Sequence, residues 1–344
     1  MIGKNQLASV MAKASEFEIP DFGLGCAPIG NLYRALSDEQ AIATVVAALK
    51  AGVRYLDTAP LYGHGRSEQR IGEALRSWSA SRPVLSTKVG RVLDPVAKGE
   101  EGDFAYAEPL PFRPRFDYSR DGMRRGLEGS LKRLGVDRVD VALIHDIGRL
   151  THGDTHPKLL RQVLDEALPA LHDARSEGLI RWIGIGVNEC EVCLELLERA
   201  PLDCILLAGR YTLLEQPALT TGLLDLCLTR GTKIIAAGVF NSGLLATKPD
   251  ASSPYNYANV PPEILERAQA LWRACEVFGV APQAAALPFP AFHLAVAATI
   301  VGARSPNEIA QILEWRRQTV PPALWTALKK DGFIVAAAPT ASTT

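Results

Sequence analysis

Short β-branched runs alternate with segments of helical periodicity from one end of the chain to the other. The runs predict eight strands, over 22–25, 53–57, 83–88, 139–145, 182–186, 203–208, 233–238 and 298–302. They are nearly continuous apolar stretches, which is the pattern of strands that are covered on both faces.

Apolar residues at helical spacing predict eight helices, over 38–51, 68–77, 120–134, 157–177, 191–199, 216–230, 262–278 and 306–315. Ser37 and Gln40 form a capping box for the first helix, and Gly52 suits the left-handed residue that ends it. Strict alternation favours one closed (β/α)8 TIM barrel, an α/β fold, over an open sheet. We predict a barrel domain over 1–335 and a disordered tail over 336–344.

The alternative fold is a doubly wound dinucleotide-binding sheet, which carries a glycine fingerprint. Gly23 and Gly25 are followed by a glycine only at Gly30, and no helix begins close behind them. Gly63 and Gly65 lack the third glycine. Both segments therefore fail the fingerprint on spacing.

One connection, over 91–118, is unusually long and rich in proline, glycine and aromatic residues. It lies where a barrel has a strand-to-helix loop, and long loops in compact domains tend to be functional. A packed surface flap is the alternative interpretation.

Composition narrows the class of protein. The 344 residues are 47% hydrophobic, with a net charge of −1 and no Lys/Arg block, so neither nucleic acid nor an anionic membrane is an expected partner. Residues 1–18 have no continuous apolar stretch, and no run is long enough to span a bilayer. We expect a cytoplasmic protein with a small-molecule substrate, and the sequence leaves its oligomeric state open.

Six cysteines lie in apolar segments, which is typical of buried thiols in a reducing compartment. Cys190 and Cys193 form a lone CxxC. A zinc ribbon needs a second pair or nearby histidines, so a special role for this motif is disfavoured.

Candidate chemistry is sought at the carboxyl ends of the strands, where barrels hold their active sites. These positions carry Asp57, Tyr62, Lys88 and His145. An ammonium group stabilises a nearby phenolate and itself needs a counter-charge, and a histidine can hydrogen-bond a substrate oxygen. Each residue alone has an ordinary explanation as a rim charge or a core side chain. Together they predict a proton-transfer site with Lys88 beside Tyr62 and Asp57 behind it.

The stretch GVRYLDTAPLYGHGRSE over 52–68, with IGEAL over 71–75, resembles the most specific signature of the aldo-keto reductase superfamily. Ser-Thr-Lys ending at Lys88 and Leu-Ile-His ending at His145 resemble its other catalytic motifs. The resemblance implies hydride exchange with NAD or NADP. It also implies that Tyr62 is the acid or base, that Lys88 and Asp57 tune it, and that His145 orients the substrate oxygen.

The same resemblance implies cofactor contacts. Asn188 follows a strand like the family's carboxamide-binding strand, and Ala208 and Ala237 replace the usual glutamine and stacking aromatic, so Tyr211 or Phe240 is expected to fill that space. Segments like the family's pyrophosphate and adenosine-phosphate loops contribute Ser242, Leu244, Gly302, Arg304 and Glu308.

Cofactor preference and substrate contacts follow from these loops. A 2′-phosphate needs cationic partners, and this chain has Gly302 and Glu308 where NADP-using members often place Lys and Arg. NAD is therefore expected, while Arg304 leaves NADP possible. Tyr33, His64 and side chains of 91–118 are expected to line the substrate pocket.

Residues 208–216, AGRYTLLEQ, with GVNE over 186–189, resemble the branch that contains aldose, L-fucose and pyridoxal dehydrogenases. This branch implies oxidation of a cyclic hemiacetal to a lactone. One alternative is an aldehyde or ketone reductase, which uses the same chemistry. Another is a catalytically idle barrel that acts as a binding subunit, although the intact set of four residues argues against it.

Overall fold

A computed structural model describes residues 17–102, 104–256 and 258–341. The strands in chain order are β1 (Phe22–Gly25), β2 (Tyr55–Asp57), β3 (Val84–Val89), β4 (Arg91–Pro95), β5 (Phe112–Phe116), β6 (Val141–His145), β7 (Trp182–Val187), β8 (Cys204–Ala208), β9 (Lys233–Ala237), β10 (Pro254–Tyr255), β11 (Ala258–Asn259) and β12 (Val296–Gly302). Eight of them close a parallel barrel in the order β1-β12-β9-β8-β7-β6-β3-β2. The predicted TIM barrel and its eight strands are confirmed.

Helices cover the outside of the barrel. The longer ones are Asp38–Lys50, Arg66–Arg76, Arg120–Leu134, His156–Gln162, Leu168–Ser176, Glu191–Leu197, Leu223–Arg230, Pro262–Val277, Pro306–Arg317 and Pro322–Lys330. Arg149–His152, Pro217–Thr220 and Pro282–Ala286 are short α-helices, Val163–Ala167 is a π-helical turn, and Pro28–Gly30, Gly153–Thr155, Asn241–Gly243 and Phe289–Phe292 are 3-10 turns.

Two predicted helix details differ from the structure. Ser37 does accept the Gln40 amide at 3.2 Å, but the Gln40 side chain donates to the Arg304 carbonyl instead of completing the capping box. The helix predicted over 216–230 breaks at Gly222, where a φ of 77° ends one helix and begins the next. A left-handed residue cannot continue a right-handed helix.

The core has two layers, which explains the continuous apolar runs. Leu143, Leu206 and Ile235 belong to a cluster of buried residues separate from the main core, and Phe17 packs on Trp182 in this smaller cluster with ring centroids 4.9 Å apart. Strand residues with the opposite orientation, such as Ile144, pack in the larger cluster with the helices. Successive strand residues therefore meet different apolar layers.

The six cysteines are all buried and unpaired. Burial raises the pKa of the Cys190 thiol to about 12 and raises that of Cys193 well above its ordinary value, so neither is a reactive thiolate at neutral pH. In the described part of the chain, no group of three or more His, Cys, Asp or Glu residues is arranged to hold a metal ion.

The chain ends differ from the sequence prediction where they are described. Ala338 lies in the segment predicted as a tail, yet it is buried in the core cluster, so the packed chain extends at least that far. Residues 1–16 and 342–344 lie outside the described residues, and with them most of the N-terminal segment 1–18 and the end of the predicted tail. No helix within the described ranges is long and apolar enough to cross a membrane.

Candidate active site

A buried ion pair lies at the carboxyl ends of β2 and β3. Lys88 Nζ donates to Asp57 Oδ2 at 2.8 Å and to the Thr58 carbonyl at 2.9 Å. Ser86 Oγ donates to the other carboxylate oxygen, Asp57 Oδ1, at 2.7 Å. Both charged side chains are only 2% exposed. Because both carboxylate oxygens are hydrogen-bonded, the pair has a fixed geometry rather than a solvated one.

The lysine reaches from this pair to the predicted acid or base. Lys88 Nζ lies 4.6 Å from the centroid of the Tyr62 ring. Gly186 on β7 leaves room for the lysine stem, since a Cβ atom there would lie 3.2 Å from Lys88 Cε. A positive charge at this position favours the Tyr62 phenolate.

His145 ends β6 and meets Tyr62 edge-on, with ring centroids 6.4 Å apart. Burial lowers the pKa of His145 to about 3, so the imidazole is neutral at physiological pH. Tyr118 Oη donates to the His145 carbonyl at 2.7 Å and fixes the strand end. The structure thus brings all four predicted catalytic residues to one end of the barrel.

A second ion pair adjoins His145, and the sequence analysis missed it. Arg91 Nη2 donates to Asp146 Oδ2 at 2.7 Å, and the same oxygen lies 3.4 Å from His145 Nε2. Asp146 could have been noticed because it directly follows His145. Arg91 could not, because only the fold brings it to the end of β6.

The connection over 91–118 contains a hairpin that the sequence analysis did not predict. β4 and β5 pair antiparallel from Arg91 opposite Phe116 to Pro95 opposite Phe112. The loop between them places Tyr106 on Tyr62, with the rings stacked and their centroids 6.0 Å apart. The hairpin therefore contacts the predicted acid or base, Tyr62, directly.

His64 and Tyr33, the two residues predicted to contact the substrate, lie beside the hairpin and the loop that follows β12 respectively. His64 is fully buried, its Nδ1 lies 2.6 Å from the Phe112 carbonyl, and Phe104 packs edge-on against its ring. His64 therefore supports the hairpin. Tyr33 is 42% exposed. Burial raises the pKa of Tyr33 while the nearby Arg304 guanidinium opposes that rise, which puts Tyr33 beside the β12 loop, residues 302–308.

Two of the predicted cofactor contacts are corrected. Tyr211 is 1% exposed and packs on Phe289 in the core, so its ring does not replace the missing aromatic at Ala237. The Leu244 side chain is buried, and its amide and carbonyl are both used, by Asn241 O and Trp272 Nε1. A phosphate would have no free backbone group at Leu244.

Three other residues predicted to contact the cofactor lie in the loops that follow β7 and β9. Asn188 is partly exposed, and its carbonyl accepts a hydrogen bond from Arg210 Nε at 2.7 Å. Phe240 packs edge-on against Trp315 of the helix Pro306–Arg317, with ring centroids 6.3 Å apart. Ser242 has a left-handed φ of 58°, and its Oγ accepts the Asn256 amide at 3.1 Å.

The β12 loop is closed by its own carboxylate. The Arg304 amide donates to Glu308 Oε2 at 2.7 Å, and the Glu308 amide donates to Ser305 Oγ at 3.1 Å. Gly302 lies against Pro28, where a Cβ atom would come within 2.7 Å of Cγ. Arg304 Nε is buried and has no hydrogen-bond partner in the described ranges. An unpartnered guanidinium nitrogen fits the adenosine end of a nicotinamide cofactor. The residues that would hold the whole cofactor are Asn188, Phe240, Ser242 and Arg304.

Comparison with known proteins shows the family of the chain. A model described as the aldo/keto reductase family matches residues 21–330. The chain is 40% identical to pyridoxal 4-dehydrogenase of Microbacterium luteolum, covering 91% of this chain and 94% of that one. It is 39% identical to D-threo-aldose 1-dehydrogenase of a Pseudomonas species, covering 94% and 97%.

The glycerol dehydrogenase of Gluconobacter oxydans superposes with a TM-score of 0.72 over 95% of each chain, at 22% identity, and supports the fold alone.

The family model and the two relatives of about 40% identity show that the chain is an oxidoreductase enzyme. It belongs to the aldo/keto reductase family, whose members use nicotinamide cofactors.

Proposed function

We propose that this enzyme oxidises a cyclic hemiacetal, such as a ring-form aldose, to its lactone. The observation that carries the proposal is the similarity, at 39–40% identity over more than nine tenths of the chain, to enzymes named for pyridoxal and D-threo-aldose. Both compounds carry an aldehyde and a hydroxyl that close to a ring hemiacetal. Loss of hydride from the hemiacetal carbon leaves a ring ester, which is a lactone.

The residues at the barrel mouth suit this step. When bound, the nicotinamide cofactor accepts the hydride. Tyr62 takes the proton of the hemiacetal hydroxyl, and Lys88, 4.6 Å from its ring, stabilises the phenolate that receives it. Neutral His145 donates a hydrogen bond to the same substrate oxygen and orients it.

We also propose that NAD is preferred over NADP. The Glu308 carboxylate accepts the Arg304 amide at 2.7 Å, and it would repel a 2′-phosphate bound at this loop. Arg304 is the one Lys or Arg residue of the β12 loop. Glu308→Gln keeps a capping side chain and removes the charge, so it should raise kcat/KM for NADP about tenfold with little change for NAD. Glu314→Gln, on the exposed face of the same helix, is the matched control. Wild-type enzyme that favours NADP would contradict the proposal.

The substrate proposal is tested with a panel of aldoses, pyridoxal and open-chain aldehydes. Purified enzyme and NAD+ should produce reduced cofactor with a hemiacetal, and mass analysis at the earliest times should show the lactone. Tyr62→Phe provides the inactive control. Rapid reduction of aldehydes by NADH, with no oxidation of any hemiacetal, would instead establish the aldehyde or ketone reductase.

A further inference from the structure

His145 and Asp146 are consecutive in sequence, yet their side chains converge. Successive residues of a strand point to opposite faces. Here the strand ends at His145, and Asp146 adopts a left-handed backbone with a φ of 50° while its amide donates to Gly186 O at 3.0 Å. This turn brings Asp146 Oδ2 to 3.4 Å from His145 Nε2. Aspartate tolerates such a backbone better than most residues, but it remains strained, and strain of this kind is concentrated at functional sites.

Arg91 fixes the Asp146 carboxylate. Its guanidinium donates to Oδ2 at 2.7 Å and lies 3.9 Å from the centroid of the Phe116 ring, so the arginine is held on two sides. Burial opposes ionisation of Asp146, but the charge and the hydrogen bond of the Arg91 guanidinium help to hold the pKa of Asp146 below its ordinary value. The group is therefore an anion that can only accept hydrogen bonds.

The arrangement leaves acceptor capacity unused. Asp146 Oδ1 accepts no hydrogen bond from the described residues, and the side chain is 20% exposed although it lies beside a buried imidazole. The imidazole and the carboxylate themselves form no hydrogen bond, although they are 3.4 Å apart. A carboxylate that only oriented His145 would accept its N–H. This one is partly exposed and accepts from Arg91 instead.

We propose that Asp146, oriented by Arg91, binds the hydroxyl on the carbon next to the reacting carbon of the substrate. This inference rests on the proposed hemiacetal oxidation. The reacting oxygen lies at His145, and hydroxyl oxygens on adjacent carbons lie at hydrogen-bonding separation from each other. Two neighbouring oxygens of one substrate therefore match an N–H with a carboxylate beside it, whose Oδ2 lies 3.4 Å from that nitrogen and whose Oδ1 is left unused by the described residues. Asp146 thereby selects hemiacetals that carry an adjacent hydroxyl.

The test compares kcat/KM for an aldose that the enzyme oxidises with that for its 2-deoxy analogue. A hydrogen bond to a charged acceptor predicts that wild-type enzyme prefers the aldose by about 10- to 100-fold. In Asp146→Asn, which tolerates the left-handed backbone, and in Asp146→Gly, which removes the strain, the preference should fall at least about tenfold. Asp94→Asn breaks the exposed Asp94–Arg115 pair on the same hairpin and should leave the preference unchanged.

The outcomes separate this inference from the proposed function. If both Asp146 variants lose activity equally on the two substrates, Asp146 acts through His145 and the inference is wrong. An undiminished preference in active variants also overturns it, while the proposed function stands. Failure of wild-type enzyme to oxidise any hemiacetal overturns the proposed function, and this inference with it.

Discussion

Both ends of the barrel turn on left-handed glycines, but only the carboxyl end, in the described part of the chain, also holds left-handed residues with side chains. Where helices return to strands, the left-handed positions are glycines, namely Gly52, Gly135, Gly178 and Gly231. Where strands lead outward at their carboxyl ends, the described loops hold nine non-glycine residues with positive φ: Asn31, Tyr33, His64, Ala105, Glu108, Asp146, Asn241, Ser242 and Asn256. A side chain in this conformation costs about 1–2 kcal/mol that glycine avoids.

The difference shows where the contacts of a side chain outweigh the cost of a left-handed backbone. The amino-terminal end of the barrel uses glycine because its turns only have to connect elements. At the carboxyl end, strained residues such as His64 and Asp146 make contacts that glycine could not make. Barrel enzymes in general keep stability at one end and chemistry at the other. Four predictions test this division, from the largest expected effect to the smallest.

Tyr62→Phe should remove most activity without affecting the fold. Phenylalanine keeps the ring on Tyr106 and beside Lys88 but deletes the hydroxyl, a proton-transfer role worth roughly 10²- to 10⁴-fold. We expect kcat to fall by this factor while the dissociation constant for NADH, measured by fluorescence, stays near wild type. Activity within a few-fold of wild type would assign the proton to another group.

Lys88→Met should damage stability as well as rate. Among the described residues it leaves the buried Asp57 carboxylate with the Ser86 hydroxyl as its one donor, and breaking such a pair costs about 3–5 kcal/mol. Urea unfolding should show this loss, and the pH optimum of oxidation should move upward because the phenolate loses its cation.

The matched variant combines Lys88→Met with Asp57→Asn, which removes both charges. It should recover much of the stability and none of the activity. Equal stability of the single and double variants would mean that Asp57 is not an uncompensated charge in the single variant.

His145→Asn should make the protein more tolerant of acid. The folded-state pKa of His145 is about 3, below the ordinary 6.5, so the unfolded chain takes up a proton as pH falls below 6.5 while the folded chain does not. Stability is therefore lost on acidification, by about 2 kcal/mol at pH 5. Urea unfolding at pH 7 and pH 5 should show a loss smaller by this amount in the variant. Equal losses in both proteins would contradict a buried neutral histidine.

The smallest effects are expected from exchanging glycine and alanine at one left-handed position at each end of the barrel. At the amino-terminal end the exchange should change stability, and at the carboxyl end it should change KM. Gly135→Ala adds a methyl group in open space at a φ of 65°, so it should cost about 1 kcal/mol of stability and leave KM unchanged. Ala105→Gly, at a φ of 61° in the hairpin loop, should spare stability and raise the KM of the substrate. A changed KM in the first variant, or an unchanged one in the second, would break the division.

The sequence predicted the barrel well because strand and helix periodicities are local. It also placed Asp57, Tyr62, Lys88 and His145, since each follows or ends a strand within a recognisable motif. The sequence analysis missed the hairpin because β4 and β5 contain arginines and prolines, which are not typical of strands.

The errors at Tyr211 and Leu244 have a different origin. Both positions were assigned by resemblance, and only tertiary packing shows that their side chains face the core. The Arg91–Asp146 pair likewise joins residues 55 positions apart, through contacts that no local pattern records. Whether the remaining predicted site residues contact cofactor or substrate stays a prediction.

The closure of the barrel has a consequence for synthesis of the chain. β1 pairs with β12, joining Phe22 to Thr299. A ribosome adds about 5–20 residues per second, so the first strand waits on the order of 15–60 s for its last partner. Throughout that interval β1 presents an open edge, which is a template for pairing with another chain. We expect the nascent protein to be most prone to aggregation in this window, and chaperones that cover strand edges to act before the final helix emerges.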